Sequence, residues 1–211
     1  MRSVLVRCSL PSLLLAALVV APSAARAAVA HADTAVFAGG CFWSMEVQFA
    51  GIKGVRGLIV GYTGGHKDHP TYEEVCSHTT GHLEALQVVY DPGVVGYDQL
   101  LDRYWHSIDP TQGDGQFCDV GDSYRPAIFY RNAAQRAQAE ASKQRLDASH
   151  VLHAPNVTAI RPASTFWPAE AYHQDYWRKN PQHYHAYREG CGRDAQLVDV
   201  WGAAAAKPLV Y

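Results

Sequence analysis

The sequence lacks the features that define several large classes of protein. Its formal net charge is only −2 and charged residues make up 18% of the chain, so it offers no basic surface for nucleic acid. It has no internal repeat and no Cys-x-x-Cys pair, the usual arrangement of a dithiol oxidoreductase. With 211 residues, the chain suits one ordinary globular domain with a sizeable core.

The sequence also lacks the residue spacing of a metal site and shows no need for structural disulfides. Four histidines and a cysteine lie within residues 66–82, but their spacing fits no familiar tetrahedral zinc site. We therefore expect no metal and no cofactor. Structural disulfides are an alternative use for the cysteines of an exported chain, although a domain of this size does not need them.

The first 30 residues have the pattern of a cleaved export signal. Arg2 and Arg7 precede an apolar run over residues 10–21, and small residues suited to signal cleavage follow it. The apolar run is too short for a comfortable transmembrane helix, and an uncleaved N-terminal anchor is the alternative. We expect an exported protein, periplasmic in location, with no membrane anchor in its mature form.

The rest of the chain is organised around residues 39–46, Gly-Gly-Cys-Phe-Trp-Ser-Met-Glu. A β-prone run precedes this stretch and helical spacing follows it, so Cys41 is predicted where a strand ends and a helix begins. A thiol in the first helical turn faces unpaired N–H groups, which favours the nucleophilic thiolate. Phe42 and Trp43 would form an apolar wall beside the sulfur. The alternative is an inert, buried cysteine.

Strands and helices alternate along the chain, which indicates an α/β (α+β) two-layer sandwich. We predict one domain over residues 33–202, with a mobile C-terminal tail from about residue 179 and a short extension at 203–211. Nothing in the sequence indicates an obligate assembly, so a monomer is expected. Strands are predicted at 34–38, 55–61, 83–91, 124–130 and 157–160, and helices from 42, at 71–76, 97–108 and 133–149, and once within 179–201.

Gly-Cys-Phe-Trp, followed three residues later by Glu46, resembles the signature of the A-type peptide methionine sulfoxide reductases. The resemblance extends from about residue 35 to about residue 201. It implies a mixed sheet of ferredoxin-like type covered by helices. It also implies thiol-dependent reduction of the S epimer of methionine sulfoxide, free or in proteins, as a repair reaction with a thioredoxin-like reductant. Glu46 itself is interpreted as an acid on the helix surface.

The resemblance also implies roles for residues elsewhere in the chain. Glu84, in Gly-His-Leu-Glu, matches the family's general acid, and burial at the start of a core strand would raise its pKa. The residue pattern alone allows an ordinary carboxylate on the solvent side equally well. The other matched residues are Tyr72 and Tyr124, as phenols that bind the sulfoxide oxygen, Asp119, and the substrate-binding Phe42, Trp43 and Tyr176.

A second thiol is expected to take part, because the reaction leaves Cys41 as a sulfenic acid that usually forms a disulfide. Cys191, between glycines in the predicted mobile tail, is the candidate, and Cys118 is the alternative. Cys191 lies farther from Tyr176 than in the best-known family pattern, so both stay open. Cys76 resembles a family cysteine without a catalytic role and is expected to be buried.

Two other classes of function remain as alternatives. A thiol peroxidase or disulfide oxidoreductase would also use Cys41, but neither chemistry requires the aromatic pair or Glu84. A non-enzymatic module that binds oxidised or methionine-rich segments would retain its function in a Cys41→Ser variant, because binding alone needs no thiolate.

Overall fold

A computed structural model of the chain describes residues 32–202. The predicted export signal at 1–30 and the terminal extension at 203–211 lie outside the described residues. Among residues 32–202, no helix combines the length and apolar character needed to cross a membrane.

The described chain alternates strands with helices, as the sequence predicts. The strands are β1 (Asp33–Ala38), β2 (Val55–Thr63), β3 (Leu83–Tyr90), β4 (Gly115–Gln116), β5 (Asp119–Val120), β6 (Ala127–Tyr130), β7 (Ala159–Pro162) and β8 (Trp167–Pro168). The helices are α1 (Phe42–Phe49), α2 (Tyr72–Cys76), α3 (Tyr97–Trp105), α4 (Ala133–Ala148), α5 (Tyr176–Lys179), α6 (Pro181–Cys191) and α7 (Arg193–Trp201).

Six of these strands form one mixed sheet in the order β7-β6-β1-β3-β2-β8. Strands β6 and β7 run parallel, and every other neighbouring pair is antiparallel. Strand β1 lies near the middle, between β3 and β6. The chain leaves its buried end directly into α1, so the turn that carries Cys41 is fixed by the centre of the sheet. The mixed, helix-covered sheet confirms the predicted fold class.

Side chains alternate between the two faces of the sheet, and this decides which face carries the site. Leu86 and Val88 of β3 join the main core beneath α1 and α3, whereas Leu83 and Ala85 join a smaller cluster on the other face. In the main core, the ring of Phe37 stacks on those of Phe49 and Tyr104, with centroids 5.4 and 5.0 Å apart. By the two-residue period, Glu84 points to the same face as Leu86.

The helix caps follow the predicted local chemistry. Thr71 and Glu74 form a reciprocal capping box at the start of α2. Asn132 caps α4 by accepting the N–H of Gln135 at 2.9 Å. Both caps were predicted from side chains that satisfy unpaired N–H groups at a helix start.

Some boundaries differ from the predicted ones. Strand β6 begins at Ala127 rather than at 124, because Asp122–Tyr124 form a 3₁₀ turn. The tail from residue 179 holds two helices where one was predicted. The left-handed Gly192 separates α6 from α7, and α7 packs on the core through Leu197 and Trp201.

Candidate active site

Cys41 is the N-cap residue of α1 and is 7% exposed. The turn before it requires glycine at two positions. A Cβ on Gly39 would lie 2.6 Å from Ile108. Gly40 has φ +84°, and a Cβ there would lie 2.7 Å from Gln116. The Gly-Gly pair therefore lets the backbone pass through a closely packed space, and it places the thiol at the edge of the core.

The thiol's environment differs from the predicted one. Burial raises the pKa of Cys41 well above its usual range, and the negative charges of Glu84 and Asp119 raise it further. A hydrogen bond between the sulfur and the Tyr187 hydroxyl, and one from the backbone N–H of Trp43, act in the opposite direction. The helix N-terminus therefore does not lower the pKa of Cys41 below its usual range, because burial and the two carboxylates raise this pKa by more. Deprotonation of Cys41 is easiest when Glu84 is neutral.

Glu84 lies beside the nucleophile and is 2% exposed. It sits on β3 opposite Tyr62 of β2, and its Oε2 accepts the N–H of Phe42 at 2.9 Å. Burial raises its pKa to about 8, with a smaller contribution from the charge of Asp119, while the Phe42 N–H opposes the shift. The alternative of a solvent-side carboxylate is therefore wrong. Glu84 is mostly protonated at neutral pH and holds a proton next to Cys41.

The two predicted phenols lie close to these groups. Burial raises the pKa of Tyr72 and of Tyr124, and the charge of Glu84 is the next cause for both. Tyr72 opens α2 and Tyr124 ends the 3₁₀ turn, so separate loops carry them to one point. Both hydrogen-bond to the thiol of Cys76, which is half-buried rather than fully buried as expected.

Aromatic rings enclose the sulfur on the side of α1. The indole of Trp43 stacks on the ring of Tyr176 with centroids 3.8 Å apart and planes 5° apart. Phe42 is 1% exposed, and its ring lies 6.5 Å from that of Tyr72. The structure thus brings Phe42, Trp43 and Tyr176 to the same place as Cys41. At 3.8 Å the faces of Trp43 and Tyr176 cover each other, so a small apolar group such as a methyl group would lie beside this stack and not between the two rings.

Tyr187 and His173 also lie in the site, although neither was predicted from the sequence. The Tyr187 hydroxyl donates to Asp119 Oδ2 at 2.6 Å and also reaches the Cys41 sulfur. His173 is 1% exposed and accepts the indole N–H of Trp43 on Nδ1 at 3.0 Å. Tyr187 sits three residues after Tyr184 on α6, a helical spacing that would have placed both tyrosines on one face. His173 had no local signal besides its place just before Tyr176.

The interpretation of Glu46 as a surface acid is wrong. It is 1% exposed, and its Oε1 accepts the N–H of Asp175 at 3.2 Å. Burial raises its pKa to about 7. Asp175 has a left-handed backbone, with φ 53°, and directly precedes Tyr176. Glu46 therefore secures the turn that presents Tyr176 to Trp43.

The two candidate resolving cysteines are bonded to each other. Cys118, between β4 and β5, forms a disulfide with Cys191, the last residue of α6, and the two Cα atoms are 5.1 Å apart. Within residues 32–202, the cysteines left as thiols are Cys41 and Cys76. Cys118 is exposed, whereas Cys191 is only 7% exposed. One sulfur of this disulfide is therefore open to solvent, and the other is enclosed.

Asp119 connects this disulfide to the nucleophile. Its carboxylate accepts the backbone N–H of Cys41 and the hydroxyl of Tyr187. One of its oxygens lies within 4.8 Å of both sulfurs of the Cys118–Cys191 pair. Burial raises the pKa of Asp119. A single carboxylate thus bridges the turn of Cys41 and the cross-link.

A buried cysteine next to a protonated carboxylic acid, with a disulfide close by, defines a thiol-dependent oxidoreductase. The family model described as peptide methionine sulfoxide reductase matches residues 33–205. The protein "Peptide methionine sulfoxide reductase MsrA" of Bacillus subtilis is 52% identical over 171 residues, which cover 81% of this chain and 97% of that protein. "MsrA 2" of Staphylococcus aureus strain MRSA252 is 47% identical over 170 residues, covering 81% and 96%.

Solved structures agree with these relatives. The reduced form of Mxr1 from Saccharomyces cerevisiae has a TM-score of 0.67 at 32% identity, covering 72% of this chain and 87% of that one. Methionine sulfoxide reductase A of Corynebacterium diphtheriae has a TM-score of 0.63 at 34% identity, covering 71% and 76%. The chain therefore belongs to the peptide methionine sulfoxide reductase family, and it is an oxidoreductase that reduces methionine sulfoxide.

Proposed function

We propose that this protein repairs oxidised methionine by reducing the S epimer of its sulfoxide, free or within proteins, with Cys41 as nucleophile and Glu84 as acid. The observation that carries the assignment is the buried, protonated Glu84, which hydrogen-bonds to the residue after Cys41. Neither a thiol peroxidase nor a binding module requires such an acid within an aromatic enclosure. The family resemblance supports the choice of the S epimer.

The first step transfers oxygen from the substrate to Cys41. The Cys41 sulfur attacks the sulfoxide sulfur while Glu84 donates its proton to the oxygen, and the proton of the Cys41 thiol restores Glu84. The protonated oxygen then bonds to the Cys41 sulfur while the substrate's sulfur–oxygen bond and the new sulfur–sulfur bond both break, so methionine leaves and Cys41 is left as a sulfenic acid. The hydroxyls of Tyr72 and Tyr124 hold the oxygen as charge develops on it. Phe42, Trp43 and Tyr176 hold the substrate's methyl group.

The second step moves the oxidation to the protein surface. The Cys191 thiol attacks the Cys41 sulfur, which releases water and leaves a Cys41–Cys191 disulfide. The Cys118 thiol then attacks Cys191, which frees the Cys41 thiol and leaves the Cys118–Cys191 bond. Exposure supports this order: Cys191 is buried, as is Cys41, whereas Cys118 is exposed.

The last step needs an external dithiol. A thioredoxin-like protein attacks the exposed Cys118 sulfur, Cys191 leaves as a thiolate, and the two electrons of the dithiol restore both thiols. Cys41 takes no direct part in this exchange. A protein reductant therefore has to reach only the loop between β4 and β5, and not the enclosed substrate site.

The proposal also includes the compartment. The N-terminal pattern supports export to the periplasm, with residues 1–30 removed and no membrane anchor in the mature protein. N-terminal sequencing of the protein recovered from the periplasmic fraction tests this. A mature N-terminus near residue 31 is expected, and an intact Met1 in the membrane fraction would contradict it.

The test of the activity uses the fully reduced protein and each pure sulfoxide epimer, with no external reductant. We expect methionine only from the S epimer. The first equivalent of product should consume about two thiols, because the relay ends in one disulfide. A further equivalent then consumes Cys41 itself. Methionine formation from neither epimer, with Cys41 still reactive, would overturn the proposal, and peroxide would be the next substrate to try.

A further inference from the structure

A cluster of three potential metal ligands lies at the cross-link. The Sγ atoms of Cys118 and Cys191 and a carboxylate oxygen of Asp119 all lie within 4.8 Å of one another. In the oxidised state the two sulfurs are bonded to each other and are poor ligands, because the thiolate is the metal-binding form. Reduction of the disulfide changes the cluster into two thiols and a carboxylate.

We propose that the reduced protein binds one thiophilic divalent cation, such as zinc, through Cys118, Cys191 and Asp119, and that this cation blocks recycling. The binding site depends only on the three side chains. The inhibitory consequence rests on the proposed function, since it requires that Cys118 and Cys191 carry the relay.

The dimensions suit zinc. Zn–S bonds of about 2.3 Å and Zn–O bonds of about 2.0–2.2 Å put the ligand atoms of a tetrahedral site roughly 3.5–3.8 Å apart. The two Cα atoms are 5.1 Å apart, so both side chains reach a common point once the sulfurs separate. The carboxylate needs to move by only about 1 Å. Three protein ligands leave the fourth position to water, and the exposed Cys118 gives the ion a way in.

The surroundings hold the carboxylate and balance the charge. The Tyr187 hydroxyl and the Cys41 N–H both donate to Asp119, which orients it as outer-shell hydrogen bonds orient metal ligands. Two thiolates, one carboxylate and one Zn²⁺ sum to a charge of about −1. The guanidinium of Arg193, 1% exposed and close enough for its charge to act on Asp119, offsets that remaining charge.

The linked reactions balance without any redox change of the metal. An external dithiol supplies two electrons and two protons to the Cys118–Cys191 bond. Binding of the ion then releases the two thiol protons. While the ion is bound, neither thiolate is free to attack a Cys41 sulfenic acid. The reductase therefore stops after Cys41 has reacted once, and a chelator releases it.

Zinc titration of the reduced, desalted protein against a coloured chelator tests the site directly. We expect one zinc per chain in the reduced protein and none in the oxidised protein. Cys118→Ser and Cys191→Ser should each weaken binding by about 100-fold, and Asp119→Asn by about tenfold. Cobalt in place of zinc should show a thiolate-to-metal absorption band in the wild-type protein that halves in either cysteine variant. Cys76→Ser is the matched control and should bind zinc as the wild type does.

Three results would overturn the proposal: equal binding by the oxidised and reduced forms, loss of the site in Cys76→Ser, or unchanged binding in both Cys118→Ser and Cys191→Ser. Each variant is first compared with the wild type by thermal unfolding, so that loss of the fold is recognised. Binding is measured without substrate, so it fails or succeeds independently of the reductase activity. In the activity assay, zinc should abolish multiple turnover but leave the first methionine per chain.

Discussion

The molecule has two sulfur centres whose surroundings differ in kind. Cys41 is enclosed at the end of the central strand, with glycine turns behind it and aromatic rings around it. Cys118 and Cys191 come from a loop and a tail helix 73 residues apart, and one of the two sulfurs faces solvent. The first centre suits selection of a small substrate, and the second suits contact with a protein. Asp119 lies beside both, so the two sulfur centres are only a few ångströms apart.

Replacing the nucleophile should have the largest effect. Cys41→Ser should lower methionine formation by at least about 10⁴-fold, because a hydroxyl cannot replace the thiolate in attack on sulfur. The Cys118–Cys191 bond should still form in this variant under a mild oxidant, and peptide mapping checks this. Methionine formation by Cys41→Ser at the wild-type rate would show that Cys41 is not the nucleophile.

Removing the acid should have the next largest effect. Glu84→Gln should lower the rate of the first turnover by about 10²–10³-fold. Glu84 acts in its protonated form, so the wild-type rate should fall as the pH rises through about 8. The variant has no such proton and should lack this decline. Rapid-quench measurement of methionine between pH 6 and pH 9.5 checks both effects, and an unchanged decline in the variant would assign it to another group.

Changes at the second centre should separate chemistry from recycling. Cys118→Ser and Cys191→Ser should form the first methionine within about twofold of the wild-type rate, because neither residue contacts the reacting oxygen. With a thioredoxin-like reductant, however, multiple turnover should fall by at least about tenfold, since the relay is broken. A small dithiol that enters the site should restore part of the turnover. Full turnover of both variants with the protein reductant would mean that Cys41 is reduced directly.

The smallest effect is expected at Glu46, whose hydrogen bond to Asp175 holds the turn that presents Tyr176 to Trp43. The folded-state pKa of Glu46 is raised from 4.5 to about 7, so its neutral form stabilises the fold at low pH and this contribution is lost as the pH rises through about 7. Glu46→Gln keeps an acceptor for the Asp175 N–H but cannot ionise. Its free energy of unfolding should match the wild type near pH 4.5 and exceed it by about 1–3 kcal/mol at pH 8. Urea titrations at the two pH values measure this, and parallel pH dependence would contradict it.

The first centre was predictable because its features are local in sequence. The glycine turn, the strand before Cys41 and the helix after it all lie within one short segment, as do the caps of α2 and α4. The fold class followed from the alternation of strands and helices. Burial was harder to predict. Glu46 lies on a helix among apolar residues, and the spacing of apolar residues within one helix does not show which other segment covers it.

The second centre depends on tertiary packing and was only partly predictable. Cys118 and Cys191 were both candidates, but their bond to each other depends on how α6 lies against the β4–β5 loop. The pKa of Cys41 was misjudged for the same reason. Burial raises this pKa, and the charges of Glu84 and Asp119, which are 43 and 78 positions away in the chain, raise it further. Contacts of this kind have no signature near the residue they change.

The separation of the two centres is tested most directly by mapping the cysteines during one turnover. Reduced protein is mixed with one equivalent of the S sulfoxide, quenched at intervals with an alkylating reagent, and digested for mass spectrometry. A transient Cys41–Cys191 bond should appear first, followed by Cys118–Cys191 with Cys41 alkylated as a free thiol. A Cys41–Cys191 bond that persists, with Cys118 alkylated throughout, would show that oxidation never leaves the substrate site.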